Sequence, residues 1–302
     1  VIEVEGLRKS YSGFEAVRGV SFDVTEGEVL AVLGPNGAGK TTVVEILEGY
    51  RSRDAGQARV LGVDPAHGGA DLRQRMGIVL QECSIDKYLT VVEVVRMHSE
   101  YYRRPRPVDE VIGLVGLSEK AGSRVKSLSG GQQRRLDLAL GLIGDPELLF
   151  LDEPTTGFDP SARRQAWEVV KNLCLLGKTV LLTTHYMDEA QMLANRVIVM
   201  SAGQVVAQGT PESIGGRADA DARIRFLLPP GLALADLPVA ARAEANGAVL
   251  VETAEPTKAL HTLTGWSVER GLELAGLSVT RPSLEDVYLS LTTVPAVETE
   301  AP

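Results

Sequence analysis

The chain has 302 residues, a length that accommodates one large domain or one large and one small, and its apolar share of 44% is ample for a buried core. A net charge of −9 disfavours a surface that lies along phosphate backbones, so no nucleic-acid partner is expected. The longest apolar run, around Val180–Leu182, is strand-sized and spans no bilayer, while Cys83 and Cys174 are too few for a disulfide framework and sit in no metal-ligating pattern.

Residues 1–28 read as short antiparallel strands, Ile2–Val4 and Val20–Val24, around a Ser12-Gly13 turn. The alternating amino terminus reads as no secretory signal, which points to a cytosolic protein that works at a membrane only through a partner. Tyr11, just before the turn, is either a half-buried strand aromatic or a stacking platform for a flat base. The apolar run Val29–Leu33 then leads into Gly34-Pro35-Asn36-Gly37-Ala38-Gly39-Lys40-Thr41-Thr42, with a periodic segment from Val43 to Leu47 behind it. Strand, glycine-rich turn and helix are what the phosphate-binding P-loop requires. Glycines let successive N–H groups converge on an anion, and the helix adds its positive end. Lys40 reaches terminal phosphates as a point charge, and Thr41 offers its hydroxyl to Mg²⁺.

Residues 53–56 read as a turn, 58–62 as a short strand and 77–80 as an apolar strand that ends at Gln81, followed by a polar loop over 82–87. From Thr90 to about Leu117 the periodicity is helical, broken by Arg104-Pro105-Arg106-Pro107; His98 reads as a structural residue of that segment. Leu128-Ser129-Gly130-Gly131-Gln132 opens the next helix, with Ser129 at the N-cap and two glycines that permit close approach to an anion. Leu148–Leu151 is a buried strand ending in Asp152-Glu153, and ligands of open α/β sheets bind at such strand ends. Asp152 suits a Mg²⁺-water site, and Glu153 suits a general base. Residues 155–160 form a turn, with Pro160 near the start of a helix. Val180–Thr184 is another core strand, and of the four histidines only His185 stands at the end of one. A hairpin is expected around Ser201-Ala202-Gly203.

Composition changes near 216–222, which reads as a linker. Beyond it, strands at 224–228, 249–251 and near 277–279, with helices at about 256–270 and 283–292, make a small α/β module over 223–293 that lacks a catalytic constellation. The acidic tail, 294–302, reads as disordered.

With Leu-Ser-Gly-Gly-Gln ahead of Leu-Leu-Phe-Leu-Asp-Glu-Pro, residues 1–215 resemble the nucleotide-binding subunit of ABC transporters. The resemblance implies a P-loop NTPase fold: a RecA-like core sheet, an N-terminal antiparallel β subdomain, and a helical signature subdomain over about 82–145, with the small α/β domain appended. It implies ATP and Mg²⁺ as ligands. Tyr11 then stacks on adenine, and Lys40, Thr41 and Thr42 contact phosphate and Mg²⁺. Gln81 reaches Mg²⁺ and the attacking water, Asp152 and Glu153 keep the tasks given above, and His185 contacts the γ-phosphate. Ser129, Gly130 and Gly131, opening the Gln132 signature helix, serve the ATP of an opposite protomer, and Asp159 lies in the turn that crosses to it. Phe158 stands where the family usually has Leu.

The same resemblance implies a head-to-tail homodimer around two ATPs, since one helix N-terminus supplies a positive end to only one face of the γ-phosphate. A finer resemblance, to the daunorubicin-resistance-like branch of exporters, rests on Glu48-Gly49-Tyr50, on Gln81-Glu82 with Tyr88–Val91, and on Pro282–Leu289. It implies a separate multi-span permease, peripheral attachment at the cytoplasmic face, and export of a drug, antibiotic or lipid-like compound. The alternative is a soluble ABC ATPase with a regulatory, ribosomal or DNA-associated task. Single-domain length, acidic charge and the lack of long heptad helices all count against it.

Overall fold

The structure, a computed structural model, describes residues 1–79, 85–217, 220–244 and 247–292. Two compact units emerge, Val1–Pro211 and Glu212–Pro302.

In the first unit, β1 (Ile2–Tyr11) and β2 (Phe14–Val24) form a long hairpin, and β4 (Ala55–Val60) joins it to give the antiparallel order β2-β1-β4. These strands run several residues further than their alternation suggested, because bulges between Val4 and Leu7 and between Lys9 and Ser10 break the strict period of two. Ala55 and Gly56, expected in a turn, open β4.

β3 (Val29–Leu33) carries the P-loop into α1 (Lys40–Leu47). After β4 come α2 (Gly69–Arg73) and β5 (Met76–Val79), then the helical segments α3 (Val91–Ser99) and α4 (Val108–Leu114), broken as expected at the Arg104–Pro107 stretch. α5 (Gly130–Leu142), β6 (Leu148–Asp152), α6 (Pro160–Leu175), β7 (Thr179–Thr184), α7 (Met187–Leu193), β8 (Arg196–Ser201) and β9 (Gln204–Gly209) complete the unit.

The larger sheet has the order β5-β6-β7-β3-β8-β9, parallel except for β9. Its inner strands are covered on both faces, which is why β3 is apolar throughout and β6 and β7 nearly so. A continuous core joins the two sheets through α1, with Val4, Val20, Leu30, Ile46, Phe150 and Ile198 among its buried members. The register places Leu33 beside Thr184 and Asp152 beside Thr183, so the carboxyl ends of β6, β7 and β3 lie side by side.

In the second unit the strands β10 (Ala222–Leu227), β11 (Arg242–Ala243), β12 (Ala248–Thr253) and β13 (Ser278–Thr280) form an antiparallel sheet ordered β11-β12-β10-β13. α8 (Pro256–Glu269) packs Leu263 and Trp266 on Ile224, Phe226, Val249 and Val251. The segment expected as a linker begins as structure of this unit. Ile214 is buried, and Gly215, at φ +63°, lies so close to Val287 of α9 (Leu284–Thr292) that a side chain there would collide with it. Arg217 Nε donates to the Pro282 carbonyl at 2.6 Å. Gly215 serves a tight packing turn. The tail over 294–302 lies outside the described residues.

Candidate functional site

The P-loop is shaped by what surrounds it. Gly39 caps α1 at φ +95°, and a Cβ there would run into the Ala16 carbonyl of β2. At Gly34 a Cβ would stand 2.6 Å from the Met200 carbonyl of β8. Pro35, Asn36 and Gly37 are exposed, and Ala38 is buried beneath them. Lys40 is 7% exposed and donates from Nζ to the carbonyls of Gly34, at 2.7 Å, and Pro35, at 3.2 Å. Burial pulls its ammonium below the usual lysine range, against the opposing attraction of Glu153 and Asp152. Thr41 is exposed and Thr42 half-buried in the first turn of α1.

The adjacent strand ends bring the acidic groups to this loop. Thr183 at the end of β7 donates its hydroxyl to Asp152 Oδ1, while its Oγ1 also accepts from the Glu153 N–H at 3.2 Å. Glu153 turns into the left-handed region at φ +46°, an uncommon state for a residue with a Cβ. Its Oε2 accepts from Thr156 Oγ1 at 3.0 Å and lies 3.3 Å from His185 Nδ1. The structure thus assembles Lys40, Asp152, Glu153 and His185 in one place.

A second group forms separately. Ser129 and Gln132 make a reciprocal capping box on α5: the Gln132 N–H donates to Ser129 Oγ at 3.3 Å, and the Ser129 N–H to Gln132 Oε1 at 3.0 Å. Asp159 caps α6, accepting from the N–H groups of Ser161 and Ala162 at 2.8 and 2.9 Å. An open cleft of about 410 Å³ runs between these caps, lined by Ser129, Gly130, Gly131, Phe158, Asp159 and Ser161. No P-loop residue lines it.

Tyr11 closes β1 half-buried, with Arg51 5.2 Å and Lys9 5.7 Å from its ring centre, so cations already flank that aromatic. Gln81 lies outside the described residues.

Sequence reasoning overlooked Thr183, Thr156, Arg134 and Glu189. Arg134 is buried on α5 and donates to the backbone carbonyls at the end of β6. Its signal was available: it falls four residues before Leu138 and eight before Leu142, on the apolar face of the helix. Glu189 of α7 is fully buried and accepts from Thr155 Oγ1 at 2.8 Å and Trp167 Nε1 at 3.1 Å, which ties α7 to the 155–159 turn and to α6. Burial pushes its carboxyl up, against the opposing pull of the hydrogen bonds it accepts.

Metal fit follows from the donor set. Thr41 and Asp152 offer hard oxygen ligands, and among the described residues no cluster of three or more His, Cys, Asp or Glu is able to hold an ion by itself. The hard oxygens of Thr41 and Asp152 suit Mg²⁺, which is bound through one or two carboxylates together with substrate phosphates.

Comparisons with known proteins give the family. The ABC transporter family matches residues 17–156, and the family described as "ABC transporter domain-containing protein-like, C-terminal domain" matches 222–283. The Nod factor export ATP-binding protein I of Rhizobium johnstonii is 40% identical over 299 residues, covering 96% of this chain and 94% of that protein. The daunorubicin/doxorubicin resistance ATP-binding protein DrrA of Streptomyces peucetius is 37% identical over 311 residues, covering 98% and 93%. Among solved structures, cbiO1 of Clostridium perfringens, part of the ABC transporter complex cbiONQ, superposes with a TM-score of 0.64 at 29% identity over 70% of this chain and 89% of that one. A dimeric cassette in a post-hydrolysis state with ADP and Pi shares the fold, with a TM-score of 0.63 at 24% identity, covering 70% and 98%.

Fold and site together define a P-loop ATPase of the ATP-binding-cassette class. The chain belongs to the ATP-binding subunits of ABC transporters. It binds and hydrolyses ATP as the motor subunit of a transporter, and relatives of this kind do not favour the soluble, non-transporting alternative. Among the described residues no helix is long and apolar enough to cross a membrane.

Proposed function

We propose that ATP with Mg²⁺ binds along the carboxyl edge of β3, β6 and β7, and that Glu153 is the general base of its hydrolysis. The observation that carries this is the meeting of Lys40, Asp152, Glu153 and His185 at adjoining strand ends. Gly34–Gly39 offer backbone N–H groups to the phosphates, and Lys40 leaves its loop carbonyls to neutralise charge on the terminal ones. Thr41 and Asp152 would hold Mg²⁺, which would supply Lewis-acid neutralisation of phosphate charge. Thr42 contributes a phosphate contact, and Tyr11 stacks on the base. Water attacks the γ-phosphorus as the bond to the bridging oxygen of ADP breaks, and Glu153 takes the water's proton. His185, beside Glu153 Oε2, orients that carboxylate and contacts the γ-phosphate; by the family pattern Gln81 reaches Mg²⁺ and the attacking water.

Two copies of the chain associate head to tail. Ser129, Gly130, Gly131 and Gln132 of one protomer, with Asp159 nearby, close over the nucleotide held on the P-loop of the other. Support comes from the separate cleft at the signature cap, where a helix N-terminus opens to solvent with no P-loop residue of its own chain among the lining. Closure then follows ATP binding, and hydrolysis releases it. The dimer drives a separate multi-span permease at the cytoplasmic face. Its cargo belongs to the drug, antibiotic or lipid-like class, in line with the export and resistance relatives.

Glu153→Gln tests the site. The variant is expected to bind ATP, to lose turnover by about 10²- to 10⁴-fold, and to accumulate as a dimer in saturating ATP, as read by light scattering. Undiminished turnover removes Glu153 from the reaction. A variant that stays monomeric counts against the sandwich.

A further inference from the structure

Arg134 makes contacts out of keeping with an ordinary helix arginine. It is 9% exposed, and its guanidinium points at the main chain where β6 ends. Nε donates to the Pro154 carbonyl at 3.0 Å, and Nη2 donates to the carbonyls of Asp152, at 2.9 Å, and Glu153, at 3.3 Å. Asp137, one turn further along α5, holds the other side of the fork, with Oδ2 3.7 Å from Nη1.

This stretch has particular need of such support. The β6 ladder stops at Asp152, so the carbonyls beyond it have no strand to bond. Glu153 sits at φ +46°, a strained backbone that persists only where its surroundings over-determine it. Thr183 holds the Glu153 N–H from one side through its carbonyl, at 3.1 Å, and its hydroxyl. Arg134 holds the carbonyls from the other. A planar fork with several donors can serve three successive carbonyls at once, which a single ammonium cannot do in the same geometry.

The helix that carries Arg134 is the signature helix. Ser129 caps it five residues earlier, about 7 Å away along the axis. We propose that Arg134 is a positioning residue for hydrolysis: it fixes the left-handed turn at Glu153 to α5, so that the helix end facing one nucleotide and the carboxylate acting on the other are set as one unit. The second half of this statement rests on the head-to-tail dimer of the preceding section. The bond between Arg134 and the Glu153 backbone does not. A shift of α5 as its N-terminus engages the partner's nucleotide then alters the aim of Glu153 in its own site, which is a physical route for coupling the two sites.

The full chain carries the test, as Arg134→Lys and Arg134→Gln, each with and without Glu153→Gln. Melting temperature checks folding, equilibrium titration gives nucleotide affinity, and steady-state and single-turnover hydrolysis give kcat and KM. Arg134→Lys is expected to keep ATP affinity and KM within about threefold while kcat falls at least tenfold, with Arg134→Gln, which keeps two planar N–H donors, in between. In the Glu153→Gln background the same change is expected to cost less than twofold, because an arginine that acts by aiming a base has nothing left to aim. A kcat within twofold of wild type in Arg134→Lys overturns the proposal. So does a loss that multiplies fully with that of Glu153→Gln, or one that appears in KM and affinity alone. Should Arg134→Lys fail to fold, Arg134→Gln is judged by the same criteria. Undiminished turnover in Glu153→Gln alone refutes a different statement, the assignment of that carboxylate.

Discussion

Glu48 ends α1 with 4% of its surface exposed, and its Oε1 has no hydrogen-bond partner. Burial, reinforced by the negative charges of Asp152 and Glu45, pushes its carboxyl up to about 8. The folded pKa thus lies above the unfolded one, so between about 4.5 and 8 the native state holds a proton that the unfolded chain has released. Glu48 therefore contributes its full stabilisation below the lower value and loses it as pH rises through the upper one. Replacing it with Gln fixes the neutral form. Between pH 6 and pH 8 the wild type is expected to lose about 2 kcal/mol of stability relative to Glu48→Gln, read as diverging denaturation midpoints. Parallel curves would mean that Glu48 is ionised in the native state. At this scale the sequence was legible where a motif fixes chemistry by spacing, as at Gly34–Thr42 and Asp152-Glu153. It marked Arg134 as buried but not what it holds, and it was silent on Thr183 and Thr156 and on the proximity of His185 to Glu153, which only strand register creates. Glu48 was read as a family mark; nothing in its neighbourhood along the chain shows that it is buried.

At the level of elements, α6 shows how one residue serves two ends. Asp159 accepts from both Ser161 and Ala162, and Pro160 follows it at a position where a missing N–H costs nothing. Asp159→Ala is expected to lower stability by about 1 kcal/mol in denaturant titration, and Asp159→Asn by much less, since an amide oxygen also caps. Equal losses would put the carboxylate's charge, and not its hydrogen bonds, in control. The long parallel strands and the helices α5, α6 and α8 were legible because apolar runs and caps mark them. α2, α7 and β11 were not: they span five, seven and two residues, too short for periodicity to register. The start of the expected linker is shaped by packing. Glycine at 215 and 216 signals chain freedom in isolation, yet Gly215 is there because Val287 leaves no room for a side chain.

For the molecule as a whole, every proposed nucleotide contact falls within Val1–Pro211, and the second unit has its own sheet and core. On the proposed function, substrate choice lies with a membrane partner. The tagged protein, extracted from its native membranes in mild detergent, is expected to bring a multi-span protein with it, identifiable by mass spectrometry. Recovery of the chain alone in the same extract would leave the ATPase standing and remove the proposed permease from the account.

The crowding around the P-loop has a consequence for exchange between relatives. The Ala16 carbonyl of β2 abuts both Gly39 and Gly203, the Met200 carbonyl abuts Gly34, and the Gly203 N–H donates to Ala38. Two segments far apart in the chain, β2 and the β8–β9 hairpin, therefore form one mould around the nine-residue motif. A transplanted loop, however faithful in its own sequence, arrives without the walls that give it shape. A graft into another cassette succeeds only when β2 and the distal hairpin travel with it.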